Sequence, residues 1–200
     1  MENIAIFGGT FNPIHIGHIE MLSSVHSMDF IDKVIIMPSK IPPHKEVNFL
    51  AEDKHRKAMC EIMAENFKKS FVSDLELKRE GKSYTVDTIS KLKSIYPDAK
   101  FFLTIGADML LSFHTWKDYE KILESASLIC FNRGNEDIDT LQKAISNLEL
   151  VGANITLIKE IITDISSTFI RENINNKDIL ERYIPKDILD YILKNSVFGE

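Results

Sequence analysis

The chain has 200 residues and a formal net charge of -6, with 44% hydrophobic and 27% charged residues, a balance that excludes disorder and permits one sizeable core. An acidic chain with pI near 5.6 argues against a general nucleic-acid binder, whereas a small anionic ligand needs only a local cluster of cationic side chains and N–H groups. Cys60 and Cys130 lie far apart among apolar residues without metal or redox spacing, no apolar run has membrane-spanning length, and no basic leader opens the chain, so the expectation is one domain over 1–200, without a membrane partner, in a reducing cytoplasm.

In chain order, short β-branched or aromatic runs predict strands at 3–7, 33–37, 71–75, 100–105, 127–131 and 155–159. Between them the pattern changes to helical. A helix is predicted over 16–28, and another over 51–67, where Met59, Ile62, Met63 and Phe67 share a face. A third runs from about Thr85 to Tyr96, with Val86, Ile89 and Leu92 in register before Pro97 stops it. The last stretch, about 166–200, reads as helical: 167–173, then 185–193 with Ile188, Leu189, Ile192 and Leu193 as an apolar stripe. That stripe fits either packing within the chain or a homo-oligomer interface. Strands alternating with helices give right-handed crossovers, hence an α/β fold with a mostly parallel sheet and helices on both faces.

Immediately after the first predicted strand stands Gly8-Gly9-Thr10-Phe11-Asn12-Pro13-Ile14-His15-Ile16-Gly17-His18. Ligands of open α/β sheets bind beyond the carboxyl ends of the strands, which is where this run falls. Paired glycines let the backbone turn and approach a ligand, and Pro13 stiffens the loop beyond them. Gly17 and His18 open a helix whose N–H groups and dipole favour a negative charge, and His15, three residues before His18, shares its face. Zinc would ask for further ligands at suitable spacing, and none is nearby.

Three further segments emerge at the same edge. Ser39-Lys40-Ile41-Pro42-Pro43-His44-Lys45 is a basic loop after the second strand. Gly106-Ala107-Asp108 ends the fourth strand, with Trp116 shortly after; an aspartate can accept from ribose hydroxyls, and an indole can stack on a heteroaromatic ring. Ser166-Ser167-Thr168-Phe169-Ile170-Arg171 offers a hydroxyl-rich helix start and an arginine whose planar fork suits phosphate.

GGTFNPIHIGH resembles the HxGH signature of the nucleotidyltransferase superfamily. With Pro42-Pro43-His44-Lys45, Lys82-Ser83-Tyr84-Thr85-Val86-Asp87-Thr88, Gly106-Ala107-Asp108, Trp116 and Asp164-Ile165-Ser166-Ser167-Thr168-Phe169-Ile170-Arg171 in order, the resemblance covers nearly the whole chain and is to the bacterial nicotinate-mononucleotide adenylyltransferases. It implies a Rossmann-like nucleotidyltransferase fold, with ATP and nicotinate mononucleotide as partners and Mg²⁺ bound mainly through the ATP phosphates. It implies that Gly8, Gly9, Thr10, Phe11, His15, His18, Gly106, Asp108, Arg133, Ser166, Ser167, Thr168 and Arg171 meet ATP. Asn12, Lys45, Tyr84, Thr85 and Trp116 would meet the mononucleotide. His15, His18, Lys45 and Arg171 would carry the catalytic work. The family commonly shows Arg-Pro-Gly where this chain has Arg133-Gly134 without the proline, which bears on loop rigidity. His26, His55 and His114 lie outside these motifs and read as structural or surface residues.

The chemistry implied is in-line attack of the mononucleotide phosphate on the α-phosphorus of ATP, with pyrophosphate leaving and no protein nucleophile required. Phosphopantetheine adenylyltransferases and cytidylyltransferases are the related alternatives; they show Phe-Asp where this chain has Phe11-Asn12, and they lack the PPHK and Trp116 pattern. A non-catalytic nucleotide-binding protein would be expected to lose a phosphate-binding His or Arg.

Overall fold

A computed structural model describes residues 1–40, 49–132, 134, 136–158 and 162–199. Six parallel strands form one sheet: β1 Asn3–Gly9, β2 Lys33–Pro38, β3 Ser70–Val72, β4 Lys100–Gly106, β5 Ala126–Phe131 and β6 Ile155–Ile158. Their order across the sheet is β3-β2-β1-β4-β5-β6. Nine α-helices are seen among the described residues: α1 Ile16–Ser27, α2 Asp53–Glu65, α3 Thr85–Ile95, α4 Ala107–Leu111, α5 Tyr119–Ser125, α6 Ile138–Glu149, α7 Ser167–Glu172, α8 Lys177–Tyr183 and α9 Lys186–Lys194. A 3-10 turn, Phe113–Thr115, joins α4 to α5.

The sheet is covered on both faces, so its central strands read as unbroken apolar runs. Side chains alternate all the same. Ala5 and Phe7 of β1, Val34 and Ile36 of β2, and Ile129 and Phe131 of β5 enter one core with α1, α2 and α9. Ile4, Ile6, Ile35, Met37, Leu128 and Cys130 point the other way, into a core shared with α3, α4, α5 and α6. The C-terminal stripe packs within the chain: Ile188, Leu189 and Ile192 are buried in the first core, and Leu193 stays exposed.

Strand order reverses between β1 and β4, and there the sheet opens. The two strands pair from Asn3–Lys100 to Ile6–Leu103 and no further. Each nevertheless keeps its outer neighbour to the end, β1 with β2 as far as Gly9–Pro38 and β4 with β5 as far as Gly106–Phe131. Thr104 Oγ1 donates to the Ile6 carbonyl at 3.0 Å, satisfying a buried group at the point where the ladder stops. The result is a crevice at the carboxyl edge, the position at which doubly wound sheets receive ligands.

Several expectations shift by local causes. Gly8 and Gly9 are the last two residues of β1 and not the turn; the backbone reverses at Phe11, whose φ is 51°, followed by a cis Asn12–Pro13 bond. Gly9 is needed for another reason, since a Cβ there would lie 2.9 Å from the Phe11 ring. The third strand ends at Val72, earlier than predicted, because β3 is an edge strand paired with β2 only over Val34–Ile36.

Both cysteines are free and buried. Burial pushes the Cys60 thiol far up and the Cys130 thiol up to about 12, so at about pH 8 both remain protonated and sterically shielded. A thiol reagent is expected to leave the native protein unmodified at that pH and to titrate two thiols after denaturation; reaction of the native chain would contradict this packing.

Candidate active site

The opening motif wraps the amino end of α1. His15 is the residue before the helix and is 1% exposed, while His18, on the first turn, is half-buried. Their rings stack with centroids 3.7 Å apart, and Phe11 meets His18 edge-on at 5.2 Å. The backbone N–H of His15 donates to His18 Nδ1 at 3.2 Å. A ring nitrogen that accepts carries no proton, so this contact leaves the His18 proton on Nε2. The first turn of α1 has no carboxylate, so nothing in it neutralises the positive end of the helix dipole.

The C-terminal segment closes on this motif. Glu20 accepts from Thr163 N at 2.6 Å and from Thr163 Oγ1 at 2.8 Å. Ser166 caps α7 by accepting from Phe169 N, and Ser167 Oγ donates to the Pro13 carbonyl at 2.8 Å. Arg171 donates through Nη1 to the Asn12 carbonyl at 2.7 Å and through Nη2 to Thr168 Oγ1 at 3.1 Å. Those two bonds leave part of its five-donor fork for an anion. Partial burial lowers the Arg171 pKa from its ordinary value, yet a guanidinium stays charged at neutral pH.

Asn12 joins two halves of the edge. Its carbonyl holds Arg171, while its buried amide donates to the Phe49 carbonyl at 2.8 Å and accepts from Ala51 N at 3.0 Å. The side chain that the sequence marked for a ligand is thus engaged with backbone. Gly8, exposed at the tip of β1, and Thr10 lie beside it. Across the crevice Gly106 ends β4 and Asp108 stands exposed in the first turn of α4.

Trp116 follows the 3-10 turn, half-buried and 4.9 Å from the Phe113 ring. Its neighbour Lys117 places Nζ 4.5 Å from the Tyr84 ring centroid and 3.5 Å from the Asp87 carboxylate. This bridge ties the segment that carries Trp116 to Tyr84 and Asp87 at the start of α3. Below them, Thr88 Oγ1 donates to Glu76 at 2.6 Å and accepts from Arg79 at 3.1 Å, and burial raises the Glu76 pKa. Lys45, with the PPHK motif, and Arg133 lie outside the described residues.

Sequence reasoning missed Arg56, Glu20, Thr163 and Lys117. Arg56 had a readable signal: it falls three, four and seven residues before Met59, Cys60 and Met63, on the buried face of α2. Glu20 and Thr163 had none, being 143 residues apart. His55 donates to or accepts from Tyr191 OH at 2.9 Å, and His26 meets Phe67 edge-on, in line with structural roles.

The cytidylyltransferase-like family profile matches residues 6–173. A relative from Fusobacterium nucleatum, called "Probable nicotinate-nucleotide adenylyltransferase", is 40% identical over 97% of this chain and 98% of its own length. One of the same name from Lachnoclostridium phytofermentans is 32% identical over 99% of this chain and all of its own. Among solved structures, the nicotinic acid mononucleotide adenylyltransferase of Plasmodium falciparum complexed with NaAD superposes with a TM-score of 0.83, at 24% identity, over 99% of this chain and 98% of that one. At that identity the likeness speaks for the fold.

Gly17 lies against the C-terminal segment: a Cβ would lie 3.0 Å from the Thr163 carbonyl and 3.2 Å from His15 Nδ1. Neither the backbone nor a buried ring gives way cheaply. Gly17→Ala is expected to lower unfolding stability by about 1–3 kcal/mol, measured by urea titration; an unchanged midpoint would show that the two segments are not held at this distance.

Proposed function

The chain belongs to the cytidylyltransferase-like family and stands among its nicotinate-nucleotide adenylyltransferases, and on that premise we propose that it joins ATP and nicotinate mononucleotide into nicotinate adenine dinucleotide and pyrophosphate. The reaction belongs to NAD biosynthesis. The observation that carries this reading at the level of the site is the convergence of His15, His18 and Arg171 on the edge where β1 and β4 part.

In this reading a phosphate oxygen of the mononucleotide attacks the α-phosphorus of ATP, the bond to the bridging oxygen of the β-phosphate breaks, and pyrophosphate leaves. The protein supplies position and charge. His18 presents Nε2–H to the α-phosphate as charge builds on it. His15, buried beneath, sets the His18 ring through their stack and backbone contact. Arg171 and the hydroxyls of Ser166, Ser167 and Thr168 receive the triphosphate, whose other side meets Gly8, Gly9, Thr10 and Phe11. Gly106 and Asp108 face the ribose, with Arg133 toward the adenine. Trp116, Tyr84 and Thr85 hold the nicotinate ring, Asn12 shapes the loop beside it, and Lys45 receives the incoming phosphate.

Mg²⁺ enters as part of the ATP substrate. Among the described residues no three His, Cys, Asp or Glu side chains gather to hold a metal ion, and Mg²⁺ keeps much of its water while binding phosphate oxygens. No helix among the described residues is long and apolar enough to cross a membrane; we place the enzyme in the cytoplasm, where its ATP is.

The test is incubation of the protein with ATP, Mg²⁺ and either nicotinate or nicotinamide mononucleotide, with pyrophosphate and dinucleotide quantified. Nicotinate mononucleotide is expected to react roughly tenfold faster or more, in keeping with the names of the relatives; turnover of neither would remove the proposed reaction. His18→Ala is expected to lower kcat by about 100- to 1,000-fold with the circular dichroism spectrum unchanged. A variant that turns over like the wild type would take His18 out of the mechanism.

A further inference from the structure

Glu76 lies in the turns between β3 and α3 and is 9% exposed. Burial raises its pKa, against the hydrogen bond from Thr88. Thr88, itself 2% exposed, donates Oγ1 to the Glu76 carboxylate at 2.6 Å, and Arg79 donates Nη1 to that same Oγ1 at 3.1 Å. A threonine hydroxyl has one proton to give and lone pairs to receive. Here it is engaged on both sides, which is how a buried carboxylate is kept without an orphaned partner.

Thr88 sits one turn into α3, and it also addresses the residue that opens the helix. Its N–H donates to the Tyr84 carbonyl at 3.2 Å, beside Asp87 N at 3.1 Å, and its Oγ1 lies 3.4 Å from the same carbonyl oxygen. Tyr84 makes no capping bond through its own side chain. Ile89 and Leu92 hold the body of α3 in the core, whereas the seat of its first turn depends on polar contacts. One of these, Lys117 on Asp87, joins two exposed groups and is weakened by solvent. The other, Thr88 on Glu76, is buried.

We infer that Glu76 and Thr88 are positioning residues for the nicotinate ring: their bond seats the first turn of α3, and with it Tyr84 and Thr85, at the mononucleotide end of the site. The inference deepens the proposed adenylyl transfer and rests on it. Among the described residues, the side-chain bonds of Glu76, Arg79 and Thr88 stay within residues 76–88 and reach none of those assigned to ATP. The triphosphate side has its own fastenings, Glu20 on Thr163, Ser167 on Pro13 and Arg171 on Asn12. Loss of the Glu76–Thr88 bond therefore falls on the mononucleotide.

The experiment compares wild type, Thr88→Val, Thr88→Ser, Glu76→Ala and the double variant Glu76→Ala with Thr88→Val, as full chains, by steady-state kinetics in each substrate with folding followed by circular dichroism. Thr88→Val and Glu76→Ala are each expected to raise KM for nicotinate mononucleotide roughly tenfold, while KM for ATP moves by less than about threefold. Thr88→Ser keeps the hydroxyl and is expected to stay within about threefold of wild type for both substrates. The double variant is expected to be no worse than either single one, because both remove the same bond. A folded Thr88→Val with wild-type KM values, one with both KM values raised equally, or a Thr88→Ser as impaired as Thr88→Val overturns the inference and leaves the reaction standing. If Glu76→Ala does not fold, the valine and serine variants decide. A wild type that turns over neither mononucleotide ends the proposed reaction, and this inference with it.

Discussion

The parting of β1 from β4 is the constraint on which the rest of the molecule depends. A parallel sheet normally satisfies every interior N–H and C=O along its strands, so opening it costs hydrogen bonds unless something replaces them. Here the outer strands continue the ladder on each side, and the hydroxyl of Thr104 takes the Ile6 carbonyl where the inner one stops. The cleft therefore belongs to the backbone of the sheet. Loops decorate it and do not create it.

Electrostatics in this chain works locally against the sign of the whole. The net charge is -6, yet the partners of the proposed reaction are anions. The conflict is resolved by placement: the amino end of α1 lacks a carboxylate, Arg171 stands half-buried over the neighbouring turn, and the His15 N–H donates to His18 Nδ1. Arg56, by contrast, is used up internally by carbonyls and Asp53. Two arginines of equal formal charge thus do different work because one is saturated by the chain and the other is not.

How much of this is legible in the sequence varies with the range of the contact that decides it. The six strands and the first three helices follow from local periodicity, because sheet faces and helix stripes repeat every two or nearly four residues. The helix α6 carries the same kind of signal, Leu141 and Leu148 buried with Asp137 capping, although the strands on either side draw the eye first. Phe11 is illegible: an aromatic residue with φ of 51° is held there by its surroundings, and composition points to the glycines beside it. The site motifs are legible in order and type, while the fate of Asn12, whose amide is engaged with Phe49 and Ala51, depends on a contact across nearly forty residues of chain.

The bond between Glu20 and Thr163 has a consequence for how the protein comes into being. These residues are 143 positions apart. During translation at about 5–20 residues per second, the histidine motif leaves the ribosome many seconds before its counterpart exists. Throughout that interval the nascent chain holds only one of the two segments that the proposed reaction assigns to the triphosphate. The junction between α1 and the C-terminal segment therefore forms late, and any stabilisation by a ligand that needs both follows the docking of the last third.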